Sequence, residues 1–149
     1  MVAYIKSILI RDLNKLQEEL HLYKDTAEMW TLVPGTTNSA GNLALHLIGN
    51  LRHFIGNELG QSGYVRNRDE EFSSKGVAIS EIDQLIQACI EEISKALDTT
   101  TPEILTQIFP KDVGGLKRDT EYVLLHLLAH FSYHLGQINY HRRMKSTNS

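Results

Sequence analysis

The stretch His126-Leu-Leu-Ala-His130-Phe-Ser-Tyr-His134-Leu-Gly-Gln137 sets a histidine at every fourth position of a largely apolar run. Residues four apart stack on neighbouring turns of an α-helix, so the imidazoles share one face, which Gln137 and His141 continue. Val123, Leu127, Phe131 and Ile138 lie beside that face and mark it as the inward side. A second run has the same character. Asn42, His46, Asn50, His53 and Asn57 follow one another at spacings of four, four, three and four, flanked by Leu43, Leu47, Leu51 and Phe54. Polar side chains on a core face are costly unless each finds a partner. Two such stripes therefore predict two helices that face each other across something polar.

Working outward, the rest of the chain is helical in its spacing. A first helix is predicted over about residues 2–23, with Ile5, Ile8, Leu9, Leu16, Leu20 and Tyr23 inward and Lys6, Lys15, Glu18 and Glu19 on the wet side. The turn-rich residues 33–39 follow, and Asn38 or Ser39 caps a second helix that runs to about Leu59 and stops at Gly60. Residues 60–78 lack periodicity and read as a long loop, a kind of connection that is often functional. A third helix starts at Ser80, with Asp83 as a capping-box partner, and carries Ile82, Leu85, Ile86, Cys89, Ile93, Ala96 and Leu97. A second long connection contains Pro102, Pro110 and Gly114-Gly115, with a short helical turn near residues 102–107. Asp119 or Thr120 then caps the fourth helix, which extends to about Met144. The expectation is an all-α four-helix bundle forming one domain over residues 1–149. The loop between helices two and three is long enough to let those helices run parallel.

Composition narrows the function. The net charge of −3 and a pI near 6.1, with no basic stripe, argue against nucleic acid and anionic membrane as partners. No apolar run approaches the ~20 residues that cross a bilayer, and the N-terminal residues lack the pattern of a signal peptide. A cytoplasmic protein is expected. The single cysteine, Cys89, falls on a core stripe, which excludes an internal disulfide or a closed thiolate metal site. No nucleophile elbow or phosphate-cradling glycine loop is present.

Histidine stripes suit a divalent ion. Neutral imidazole is a common ligand for zinc and nickel. Two histidines four apart on one helix, with a third from a facing helix, leave a coordination position open, as in catalytic zinc. Spacing alone does not choose between His126, His130 and His134 as the pair.

A resemblance bears on that choice. The run His130-Phe-Ser-Tyr-His134-Leu-Gly136-Gln137-Ile138 resembles the last-helix motif of the DinB/YfiT-like superfamily of metalloenzymes, an HxxxH followed by Arg-Gly-Gln. Asn42-Leu-Ala-Leu-His46-Leu-Ile-Gly-Asn50-Leu resembles its other ligand segment, and residues 66–72 resemble a subgroup of unassigned function. The resemblance implies an up-down-down-up bundle, often homodimeric, with the metal on His46, His130 and His134. Leu135 stands where relatives often carry Arg, which implies a different substrate or a different orientation of it.

Beside these ligands, Asn50 and Gln137 are candidates to orient a bound water or substrate, and His126 to act as a proton shuttle or ligand partner. His53 lies two turns from His46, too far for the same ion. His21 and His141 read as surface or helix-end residues, and Arg66 and Arg68 as a solvated pair or a carboxylate clamp. No carboxylate adjoins a ligand histidine in sequence, which disfavours hydrolysis and its general base. A thiol S-transferase acting with a low-molecular-weight thiol is the leading expectation, and the resemblance supports it. A metal-dependent hydrolase and a non-enzymatic, metal-stabilised helical dimer are the alternatives.

Overall fold

A computed structural model describes residues 1–115 and 117–147. Its long helices are α1 (Val2–His21), α2 (Ala40–Leu51), α4 (Ile79–Asp98) and α6 (Thr120–Thr147); α3 (Arg68–Ser73) and α5 (Pro102–Thr106) are short. A 3-10 turn spans Thr26–Trp30, and α2 continues without a break as a π-helix, Arg52–Leu59. Among the described residues the only β pairing is an isolated bridge between Ile108 and Asp119, so the fold is all-α. The predicted third and fourth helices are α4 and α6.

Local chemistry explains the boundaries. Ser39 accepts from Asn42 N at 3.2 Å and caps α2. Gly60 terminates the π-helix, and its N–H reaches back to Ile55 O at 3.1 Å. Asp119 accepts from Tyr122 N at the start of α6. The predicted capping role of Asp83 is not realised: α4 begins at Ile79 without a side-chain cap, and Asp83 instead takes Gln17 and His21 of α1. The predicted loop over residues 60–78 contains α3, capped by Asn67 through Glu70 N.

α1 packs on α4 and α6, and α2 packs on α6, α4 and α3. Ile5, Leu9, Leu13, Leu16 and Leu20 of α1 meet Leu47, Leu51 and Ile55, Ile82, Ile86 and Ile93, and Val123, Leu127 and Phe131 in one buried cluster. Cys89 is fully buried in it, as its stripe predicts. Trp30 lies against α2 at Gly41, where a Cβ would come within 2.6 Å of the indole.

Two polar residues of this core depart from expectation. Glu19, read as solvent-facing, is 2 % exposed. It accepts from Asn139 Nδ2 and Arg142 Nε of α6, each at 2.7 Å. Burial opposes its charge, but these bonds outweigh it and hold the carboxyl below its usual range. His141, read as a helix-end residue, is also buried, set between Tyr23 Oη and the carbonyl of Thr31. Periodicity put Glu19 on the wet side, and it set His141 on the inward face without showing what encloses it, because the partners of both lie more than a hundred residues away.

Removing one member of a buried ion pair strands the other. Arg142→Met should destabilise the protein by about 3 kcal/mol in urea denaturation, and Glu19→Met with Arg142→Met should recover much of that loss. A cost below about 1 kcal/mol for the single change would show that the pair does not hold α1 to α6.

Candidate metal centre

α2 delivers His46, and α6 delivers His130 and His134 one turn apart. One ring nitrogen from each lies within 4.8 Å of the others. The ring centroids are 4.6–5.4 Å apart, with near-perpendicular planes.

The outer nitrogens decide what the inner ones present. His46 Nδ1 lies 3.1 Å from Glu71 Oε1. An ionised carboxylate only accepts, so Nδ1 carries the proton and Nε2 turns a lone pair inward. Gln137 Oε1 lies 2.7 Å from His134 Nδ1 and sets the same tautomer there. His130 Nε2 stands 3.2 Å from His46 Nε2. A single N–H on His130 can satisfy one of the two inward lone pairs but not both, whereas a cation takes all three nitrogens. The donor set therefore fits a divalent ion. His130 Nδ1 is buried without a partner, so no hydrogen bond on its outer side orients that ring.

Burial, reinforced by the neighbouring histidines and Arg66, holds His130 down to about 4, and burial lowers His134 as well. Both rings are thus neutral at pH 7, the form that binds metal.

Glu71 is the residue that sequence reasoning missed. It is 6 % exposed, and its oxygens accept from Arg66 Nε and Nη2, each at 2.8 Å. Burial raises its carboxyl, but the bonds from His46 and Arg66 prevail and leave it below the usual carboxylate range. Arg66 Nη2 also lies 3.3 Å from His46 Nδ1, but the fork of the guanidinium is turned to the carboxylate. The group assembles because α3 docks on α2. Asn42 Nδ2 donates to the carbonyls of Glu71 and Ser74 at 2.9 and 2.8 Å. At Gly49 a Cβ would overlap Glu71 Oε2, so the missing side chain is what admits the carboxylate. The one sequence signal was Asn67-Arg68-Asp69-Glu70-Glu71, a cap followed by an acidic first turn.

The other predicted site residues divide. Asn50 is 7 % exposed, and its Oδ1 has no hydrogen-bond partner. Gln137 is exposed, and its Oε1 is bonded to His134 Nδ1. His126 is exposed on α6, one turn before His130. His53 lies beyond the point where α2 widens to π geometry and contacts the Phe54 ring. Arg66 is a half-buried ion-pair partner and not a solvated charge, while Arg68 lies over the Phe72 ring.

Fold and site together define an all-α protein with a three-histidine group able to hold a metal ion. The chain belongs to DUF1572, a family of proteins of unknown function, whose model matches residues 4–149. No curated protein and no solved structure matches it.

Groups that orient metal-binding histidines typically carry a 10–100-fold share of affinity. Glu71→Gln and Gly49→Ala should each weaken zinc binding by about tenfold or more in competition with a chromophoric chelator. Unchanged affinity in both variants would remove Glu71 from the site.

Proposed function

We propose that this protein is a divalent-metal-dependent thiol S-transferase of DinB/YfiT-like type, with an up-down-down-up bundle and zinc or nickel held by His46, His130 and His134. The observation that carries the reading is the convergence of three imidazoles whose outer nitrogens, on His46 and His134, are already engaged. When bound, a divalent ion supplies positive charge that favours the deprotonated form of a thiol or, in the second reading, of a water.

The chain's own residues leave that charge undiminished. Imidazole ligands bring no charge of their own to an ion, and the negative charge of Glu71 is balanced by Arg66 at 2.8 Å. A site of this kind prefers an anionic nucleophile. Glu71 puts a carboxylate next to a ligand after all, but both its oxygens are engaged and it lies behind His46. It orients that ring and is poorly placed as a general base, so thiol transfer stays ahead of hydrolysis. In this reading Asn50, buried with an unpartnered oxygen one turn along α2 from His46, accepts from an N–H or O–H of a bound reactant. His126, exposed beside His130, can carry the thiol's proton to solvent. In the transfer, sulfur supplies the electron pair of the new C–S bond, and the leaving group departs with the pair of the bond that breaks.

The protein acts as a homodimer in this reading. α6 turns Tyr122, Leu125 and Tyr133, at 38, 41 and 67 % exposure, outward around the small residues Ala129 and Gly136. A helix so lined can approach a second copy closely. Sedimentation should give a dimer for the wild type and a monomer for Ala129→Glu; identical masses would place the interface elsewhere.

Among the described residues no helix is long and apolar enough to cross a membrane. Untagged protein should contain about one equivalent of zinc or nickel by elemental analysis. His46→Ala, His130→Ala and His134→Ala should each lose most of it, while His53→Ala should keep it. Retention of the ion by His130→Ala would sink the assignment.

A further inference from the structure

A cavity of about 440 Å³ opens between α6 and the turn that precedes α2. Gln137, Tyr140, His141 and Met144 form one wall, Leu43 the floor, and residues 33–38 the other wall. Its place relative to the histidines follows from helix geometry. Leu43 lies three residues before His46, and Gln137 three after His134, so on both helices the cavity begins about one turn, ~5 Å, from the ligand rings. Gln137 belongs to both, since its oxygen is bonded to His134 Nδ1.

The lining carries no formal charge. No Asp, Glu, Lys or Arg takes part in it. His141 is the one titratable imidazole, and both its nitrogens are engaged, by Tyr23 Oη and the Thr31 carbonyl. Lys145, just beyond, donates to the Leu32 carbonyl. The turn wall is pre-formed. Gly35 has φ +83° after Pro34, and Val33 O accepts from both Thr36 N at 3.0 Å and Thr36 Oγ1 at 2.6 Å. What remains for a ligand is apolar surface from Val33, Pro34, Leu43 and Met144, with neutral hydrogen-bonding groups at the rim. By contrast, the 260 Å³ cavity on the far side of Glu71 is lined by Arg52, Glu70, Glu71 and Glu81.

We propose that the cavity between Leu43, Met144 and the 33–38 turn is the subsite for the uncharged, largely apolar body of the electrophile. The inference rests on the thiol-transfer reading. An ion entering this lining would lose hydration without gaining a counter-charge, so charged low-molecular-weight thiols are excluded from the cavity. They approach the histidines from elsewhere, and the two reactants meet at the site from different sides. Specificity for the electrophile then lies in residues 33–38 and the 137–144 stretch of α6, separate from the metal ligands.

The chain's methionines make this testable without turnover. Met144 lines the cavity, Met29 is fully buried in the core, and Met1 is terminal. With ¹³C-methyl methionine in the metal-free full chain, benzyl alcohol should shift the Met144 resonance saturably and leave Met29 unmoved. Benzoate and benzylamine should bind about tenfold more weakly or not at all. Thr37→Trp, a change at an exposed rim position, should weaken benzyl alcohol about tenfold, whereas His53→Ala, outside both the cavity and the metal group, should leave its affinity within about twofold. An unresponsive Met144, equal binding of the ions, or an unaffected Thr37→Trp variant would overturn the subsite. If benzyl alcohol behaves as expected but the metal-loaded protein conjugates no thiol to any uncharged electrophile, the subsite stands as a binding site and the transferase reading falls.

Discussion

A carboxylate as buried as Glu71 stays ionised only where its partners replace the water it has lost. Arg66 supplies charge and two donors, and His46 supplies a third. Much of the surrounding architecture serves that requirement. α3 exists to carry Glu71 inward, Asn67 starts α3, Asn42 fastens its end to α2, and Gly49 leaves the space. The reward is a His46 ring with a fixed proton and a fixed direction. Gln137 repeats the arrangement for His134 with a neutral amide, so two of the three rings are aimed before any ion arrives. Pre-aiming matters because each imidazole left to rotate would lose that freedom on binding.

How much of this could be read in the sequence depended on the range of the interaction concerned. Ser39, Gly60 and the apolar stripes act within one or two turns, and their patterns gave the long helices to within a few residues. The convergence of His46 with His130 and His134 needed two stripes and a family likeness, since spacing alone left His126 in contention; its exposure now separates it from the others. Glu71 was invisible because nothing local distinguishes it from Asp69 and Glu70 in the same acidic turn. Glu19 was misplaced for a related reason: it is a charged residue on a helix edge, and only Asn139 and Arg142 reveal that the edge is covered. The π geometry of Arg52–Leu59 was hidden too. At about 4.4 residues per turn, the three-residue step from Asn50 to His53 turns His53 off the face that Asn50 shares with His46.

The buried polar groups also divide the labour between the two ends of α6. Toward its C-terminus, Asn139, His141 and Arg142 are committed to α1 and to the segment after it, and they hold the fold. One to three turns earlier, His130 and His134 make few bonds to the rest of the protein and keep their inner nitrogens open. A long helix anchored at one end and polar but under-engaged in the middle separates stability from chemistry within a single element.

The fit of Glu71 against Gly49 has a consequence for descent. Twenty-two positions separate these residues in the chain, yet one is large only because the other is absent. Any relative that acquires a side chain at the glycine must shorten or redirect the acid, and any relative that loses the acid releases the glycine to drift. The pair is therefore expected to change together or not at all across the family, leaving a record of which lineages still orient the α2 histidine and which have let it go.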